Sequence, residues 1–226
     1  MGSASAAIAA AGPDVVTDDD PFALIATERR ALADLVDGLT ETQLTTPSLC
    51  GAWTVKDVAA HLMAAENGAV TEFLVAWVRG GFSFDKANQR MTAARASLPV
   101  PTLTAMMREH AESRFTPPTM DWHAPLSDVM IHREDIAVPL GLPSDRPVES
   151  WRHVLDFVVS PKARRGFVPG RLPAVRLVAT DVDWSHGSGP EVTGPAASLA
   201  LAVSGRAAGL AGLTGPGRES LATWVG

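Results

Sequence analysis

HAPLSDVMIHREDIAV, residues 123–138, is the stretch on which the reading of this chain turns. It holds Asp128 and His132 four apart, among apolar Val129, Met130, Ile131, Ile136 and Val138, and is stopped by Pro139 and Gly141. The pattern predicts a helix, and a spacing of four puts both side chains on one face, one turn apart, as two ligands of one metal ion require. His61, on an earlier segment, is the third donor. Two imidazoles and a carboxylate from two helices leave a coordination position open, as catalytic rather than structural zinc sites do. The same residues also admit plainer readings: His61 as a hydrogen-bonded core histidine, and Asp128 with His132 as a solvated helical pair.

Working outward, Pro21 to Leu39 places Leu24, Leu32, Leu35, Val36 and Leu39 at helical spacing, with Asp20 as cap, Pro21 in the first turn and Gly38 at the end. Thr45 to Gly51 reads as a loop. Thr54 then caps a second helix, with Asp57 as the acid of a capping box. That helix carries Val55, Val58, His61 and Leu62 and is expected to run to about Val78, before Gly80 and Gly81. Phe82 to Pro99 conflicts: Lys86 to Ala96 suits a helix, whereas Ser83, Asp85 and the later prolines suit a long connection. A third helix, about Thr102 to Ser113, is framed by Pro101 and by Pro117 and Pro118. With residues 123–138 these make a four-helix bundle whose ligands point into its middle.

After Gly141 the texture changes. Leu142 to Val148 acts as a linker, Glu149 to Val159 as a short helix, and Pro161 to Pro173 as a loop rich in Gly, Pro and Arg. Val175 to Thr180 alternates like a strand, Gly187 to Gly189 offers a turn, and Glu191 to Thr193 is the returning partner. Pro195 to Val203 reads as a helix. The fold class is therefore α+β: a leader over residues 1–20, a helical bundle over 21–141 and a smaller mixed α/β domain over 149–226.

Composition narrows the function. The chain has 226 residues, is 46% hydrophobic and carries a formal charge of −6. No basic run exceeds two arginines, which argues against a nucleic-acid or membrane-surface footprint and for a small-molecule partner. Cys50 is the only cysteine, so no internal disulfide exists and the cytoplasm is the expected compartment. Residues 1–20 lack the basic start of a secretory signal and run into Asp18, Asp19 and Asp20, the reading being a disordered leader. No apolar stretch is long enough to span a membrane.

The remaining candidates are weaker. His110, His123, His153 and His186 read as surface or loop groups, with His123 a reserve ligand. Cys50, Trp53 and Trp77 read as packing. Asp135 lies on nearly the same face as His132 and either orients that ligand or pairs with Arg133 at the surface. No phosphate-cradling glycine motif is present.

Three blocks then carry a resemblance. Cys50 to Leu62 (CGAWTVKDVAAHL) closely resembles a GWTVxDxxxHL signature; Ile131 to Asp135, followed by Pro139 to Gly141, resembles HxxDxxxPxG; and Thr180 to Trp184, through Gly194 to Ala196, to Gly205 and Arg206 resembles a tail domain. All three belong to the mycothiol-dependent maleylpyruvate isomerase family, within the DinB-like metal-binding four-helix group, and they span most of residues 22–210. The resemblance implies a DinB-like bundle with a C-terminal α/β domain, and metal ligands at His61, Asp128 and His132. Asp128 stands where the family more often has glutamate, one methylene longer. Arg206 matches a functional tail arginine and is expected to bind substrate or thiol-cofactor carboxylates, the alternative being an exposed arginine at a helix end.

The implied activity is a cytoplasmic metal-dependent enzyme that uses a low-molecular-weight thiol, mycothiol, for isomerisation or S-transfer on an electrophilic small molecule. Zinc is the expected metal, with nickel or manganese as alternatives. Two other readings stay open: a non-catalytic small-molecule or protein-binding member of the fold, and a metal-dependent hydrolase. Oligomeric state is not legible in the sequence.

Overall fold

Asp20 starts the first helix, α1 (Pro21–Asp37), by accepting a hydrogen bond from Phe22 N at 3.0 Å, with Pro21 in the first turn. The computed structural model describes residues 20–67, 75, 78, 79, 84–117 and 119–226. The leader expected over residues 1–20 therefore lies outside the described residues but for Asp20. A single helical turn, α2 (Glu41–Leu44), follows, closed by a capping box between Thr40 and Gln43.

The box expected at Thr54 is formed. Thr54 N donates to Asp57 Oδ2 at 2.9 Å and Asp57 N donates to Thr54 Oγ1 at 3.2 Å, opening α3 (Val55–Asn67). Most of the expected extension towards Val78, including Trp77 and Gly80, lies outside the described residues. The conflict over Phe82 to Pro99 resolves as a helix, α4 (Phe84–Ala96), which buries Met91 and Thr92. A run rich in Ala, Arg, Gln and Met outweighs the flanking turn formers, because its helix propensity sums over several turns. Next comes α5 (Val100–Glu109), shorter at its C-terminal end than the sequence suggests because the chain leaves the helix at His110.

The decisive segment is α6 (His123–Ala137). Helices α1, α3, α5 and α6 form the bundle, with α4 packed along α3. From Ala124 to Ala137 every residue of α6 is buried except Asp128. A helix buried on all sides must give each charge a partner. Arg133 meets Asp145 at 2.5 Å, Glu134 accepts from Ser144 Oγ at 2.9 Å, and Asp135 receives Arg206. The linker is pinned likewise, Arg146 donating to the buried Glu28 of α1 at 2.6 Å.

The C-terminal region holds α7 (Val148–Val158), a 3-10 turn at Ala163–Arg165, strands β1 (Arg176–Ala179), β2 (Ser185–Gly187) and β3 (Glu191–Gly194), helix α8 (Ala196–Val203), a 3-10 segment at Ala207–Gly212 and a last helix, α9 (Arg218–Val225). The sheet order is β2-β1-β3. Here the strand reading needs correcting: the antiparallel partner of β1 is β2, with Arg176 opposite Gly187, whereas β3 pairs with β1 in parallel, with Arg176 opposite Glu191. Residues 188–190 turn the chain back, as expected, and carry it across the start of β1 to the other side of that strand. Gly189 permits this at φ +127°, since a Cβ there would lie 2.4 Å from Ala174 O.

One hydrophobic core runs from Ile25 and Leu32 through Met130 and Ile136 to Trp151, Leu177 and Leu199. Both α7 and α8 pack on α6, which delivers Ser204, Gly205 and Arg206 to the bundle. Pro195 cannot cap α8 with its side chain, so Asp181 reaches across to accept from Ala196 N at 2.9 Å. No helix among the described residues is long and apolar enough to cross a membrane.

Candidate metal centre

Helix α3 presents His61 and helix α6 presents Asp128 and His132, and one ligand atom from each lies within 4.8 Å of the others. The two imidazoles meet edge to face with ring centroids 4.9 Å apart, and His132 Nε2 is 3.4 Å from Asp128 Oδ1. Three donors at this separation surround a volume that a divalent ion can fill at the usual 2.0–2.2 Å bond lengths after small side-chain adjustments. Asp128 is the half-open member and faces a cavity of about 560 Å³, on whose floor the triad sits.

The second nitrogens of the two imidazoles have unequal partners. His132 Nδ1 lies 2.8 Å from Asp135 Oδ2, in the geometry of a ring N–H donating to a carboxylate, which leaves Nε2 for the cavity side. Asp135 is fully buried, not paired at the surface with Arg133, and takes both forks of Arg206: Nε to Oδ1 at 3.1 Å and Nη2 to Oδ2 at 2.8 Å. His61 Nδ1 is 3.5 Å from Thr92 Oγ1 on α4, and the ring stands 4.8 Å from that of Trp53.

Charge separates the two histidines. Burial, and then the neighbouring His132, push His61 down to about 4, so its ring is neutral and ready to ligate. Burial pulls on His132 too, but Asp128 and Asp135 outweigh it and raise the group to about 9. Burial likewise disfavours ionised Asp128 and Asp135, yet their hydrogen bonds to His132, with Arg206 nearby, hold both below the ordinary carboxylate range. Two carboxylates against one guanidinium leave a negative excess that a proton on His132 balances. A divalent cation fits the same vacancy of charge, and the donor set suits it.

Cys50, His132 and Asp135 form a second group within 4.8 Å. It suits a metal less well: both Asp135 oxygens serve Arg206, and burial, followed by Asp135, pushes the Cys50 thiol up to about 11. Of the other histidines, His123 is stacked on Trp122 at 3.7 Å and bonded to Asp121, away from the triad, and His186 lies on the exposed strand β2. His110 ends α5, and His153 lies by Trp122.

Arg206 is not the exposed helix-end arginine of the alternative reading. Its side chain is 16% exposed, also donates to Ser204 O at 2.8 Å, and lines the cavity. Trp53 and Cys50, read as packing, line it as well, as do Ser127 and Arg165. Trp53 and Cys50 share a block with His61 and were within reach of the sequence; Thr92 and Arg165 sit in segments with no motif to mark them.

The family model of the mycothiol maleylpyruvate isomerase N-terminal domain matches residues 25–157, the stretch that contains the triad. The chain belongs to this family. Two solved structures share the fold. A histidine-to-alanine variant of the mycothiol-dependent maleylpyruvate isomerase aligns at a TM-score of 0.59 with 15% identity, over 87% of this chain and 91% of that one. The isomerase itself aligns at 0.55 with 14% identity over the same shares. No curated protein sequence matches the chain.

Proposed function

We propose that this family member is a metal-dependent enzyme that uses a low-molecular-weight thiol, mycothiol, for isomerisation or S-transfer on an electrophilic small molecule. The observation that carries the proposal is the convergence of His61, Asp128 and His132 within 4.8 Å on the floor of a 560 Å³ cavity, in a member of a mycothiol-enzyme family. A divalent ion on those three residues supplies Lewis acidity and lowers the pKa of a thiol brought to it, making the thiolate available as nucleophile.

The chain's own residues do the rest. Asp135 fixes the ring of His132 through Nδ1 and keeps Nε2 on the cavity side. Arg206 fixes Asp135, so the C-terminal region aligns a ligand carried by the bundle. Trp53, Phe115, Met120 and Phe167 line the cavity with apolar surface, lowering the local dielectric and strengthening every charge interaction inside. Arg206 and Arg165 place positive charge on the same wall, suited to a substrate carboxylate. The Cys50 thiol, held protonated by burial and Asp135, does not compete as a nucleophile.

The test combines metal analysis of protein purified without chelator with turnover of maleyl-type acids and other electrophiles, assayed with and without mycothiol and with zinc, nickel and manganese compared. Near-stoichiometric metal and strictly thiol-dependent turnover are expected. Turnover without thiol would mean a hydrolase, and metal-free protein that binds small molecules without converting them would mean a binding module.

A further inference from the structure

A second cavity, of about 520 Å³, lies in the C-terminal region and shares no lining residue with the first. A short stretch of chain divides them: Arg165, Gly166 and Phe167 line the first, Arg164 and Val168 the second. Arg164, Arg171 and His186 stand on the wall of this second cavity with no acidic residue among its lining, in a chain whose formal charge is −6. Among the described residues neither arginine has a carboxylate partner, although Arg176 on the neighbouring β1 reaches Glu191 at 3.6 Å. Ser160 also lines the cavity, and its Oγ makes no hydrogen bond to any described residue.

Cations collected around a concavity without counter-charges repel one another, and the free energy of that repulsion is recovered when an anion enters. Two guanidinium forks present planar pairs of donors, the geometry that phosphate and carboxylate oxygens accept. Val168, Leu172 and Pro173, each half-buried, supply an apolar side, and the volume falls within the range of small-molecule sites. We propose that this second cavity binds a small organic anion, its phosphate or carboxylate held by Arg164 and Arg171 and its short apolar body laid against Val168 and Leu172. The proposal stands independently of the metal centre.

Calorimetric titration of the full chain with phenyl phosphate, benzoate, inorganic phosphate and uncharged benzyl alcohol tests it. One equivalent of phenyl phosphate or benzoate should bind with a Kd of about 1 mM or tighter, weakening as salt is added. Whichever of the two binds more tightly identifies the head group. The double substitution Arg164→Ala with Arg171→Ala should weaken binding about tenfold or more, while Arg176→Ala, an exposed arginine outside both cavities, should change it less than about twofold. Both substituted arginines are exposed, and a thermal melt checks the fold; should the double variant fail to fold, Arg171→Gln alone should still weaken binding severalfold. No binding up to about 10 mM, equal binding of benzyl alcohol, or binding that the Arg164 and Arg171 variants leave unchanged would each overturn the assignment.

Discussion

The two cavities stand on opposite sides of residues 164–168 and treat charge in opposite ways. In the first, carboxylates and imidazoles converge and are locked together: Arg206 holds Asp135, Asp135 holds His132, and His132 faces Asp128. In the second, Arg164 and Arg171 stand on a wall with no acidic residue among its lining. One region gathers donors that suit a cation, and the other guanidinium groups that suit an anion. The difference teaches that rigidity and charge come together in the first cavity, because its groups are buried and cannot be left unpaired, whereas exposed arginines need no such network.

The sharpest way to break the comparison is to remove a donor from the first cavity. His132→Ala should weaken metal binding on the order of a hundredfold or more, since one of three protein ligands disappears, and should leave organic-anion binding in the second cavity unchanged. His61→Ala should do the same. Equilibrium dialysis with zinc reads the first effect and calorimetry the second. Parallel loss of both would mean that the two cavities are one site.

Asp135→Asn comes next. The amide keeps the shape but loses the charge that fixes His132 and receives Arg206, so metal affinity should fall about 10–100-fold with all three ligands still in place. Arg206→Ala probes the same link from the tail and leaves a fully buried carboxylate with His132 as its one remaining ion-pair partner. It should lower stability by about 3 kcal/mol, read as a fall in Tm, with Arg206→Lys recovering part of the loss because it restores charge but not the fork. An Arg206→Ala protein of unchanged Tm would show that the tail does not brace the metal side.

The triad and its brace Asp135 are legible in the sequence, whereas the contact of Arg206 to Asp135 is not. Helical spacing puts Asp128 and His132 on one face, and the Thr54–Asp57 box marks where the helix of His61 begins, so local rules reach the three residues of the triad. The bidentate contact between Arg206 and Asp135 joins residues 71 apart in sequence, which no local pattern encodes. Similarly, β3 pairing in parallel with β1 depends on Gly189 crossing close over Ala174, a tertiary contact that the alternation of Glu191 to Thr193 does not carry. Thr92 was missed because α4 begins among turn formers, and Arg164, Arg165 and Arg171 because a loop rich in Gly, Pro and Arg has no periodicity to orient them.

Acidity sharpens the comparison within the triad. His132 is raised to about 9 in the folded, metal-free protein, so its stabilising effect is full below the ordinary histidine value of 6.5 and is lost as pH climbs through about 9. His61, lowered to about 4, works the other way: its contribution is present above 6.5 and is lost as pH falls towards 4. The metal-free protein should therefore have its highest Tm near neutrality. Metal affinity should instead climb with pH between about 6.5 and 9, roughly tenfold per pH unit, because binding displaces one proton from His132. Calorimetry in buffers of different ionisation enthalpy should count about one proton released at neutral pH, and a count near zero would place the proton elsewhere.

The smallest effect is the most discriminating. His132 is oriented by a buried carboxylate at 2.8 Å, whereas His61 has only the Thr92 hydroxyl at 3.5 Å, the outer limit of a hydrogen bond. Thr92→Val removes that oxygen with almost no change of shape. A weak neutral contact is worth about 0.5 kcal/mol, so metal affinity should drop only about two- to threefold, far less than in Asp135→Asn. Comparable losses in the two variants would mean that both imidazoles depend equally on their second nitrogen. The division between a charge-held ligand on α6 and a packing-held ligand on α3, where Trp53 and burial do most of the orienting, would then fail.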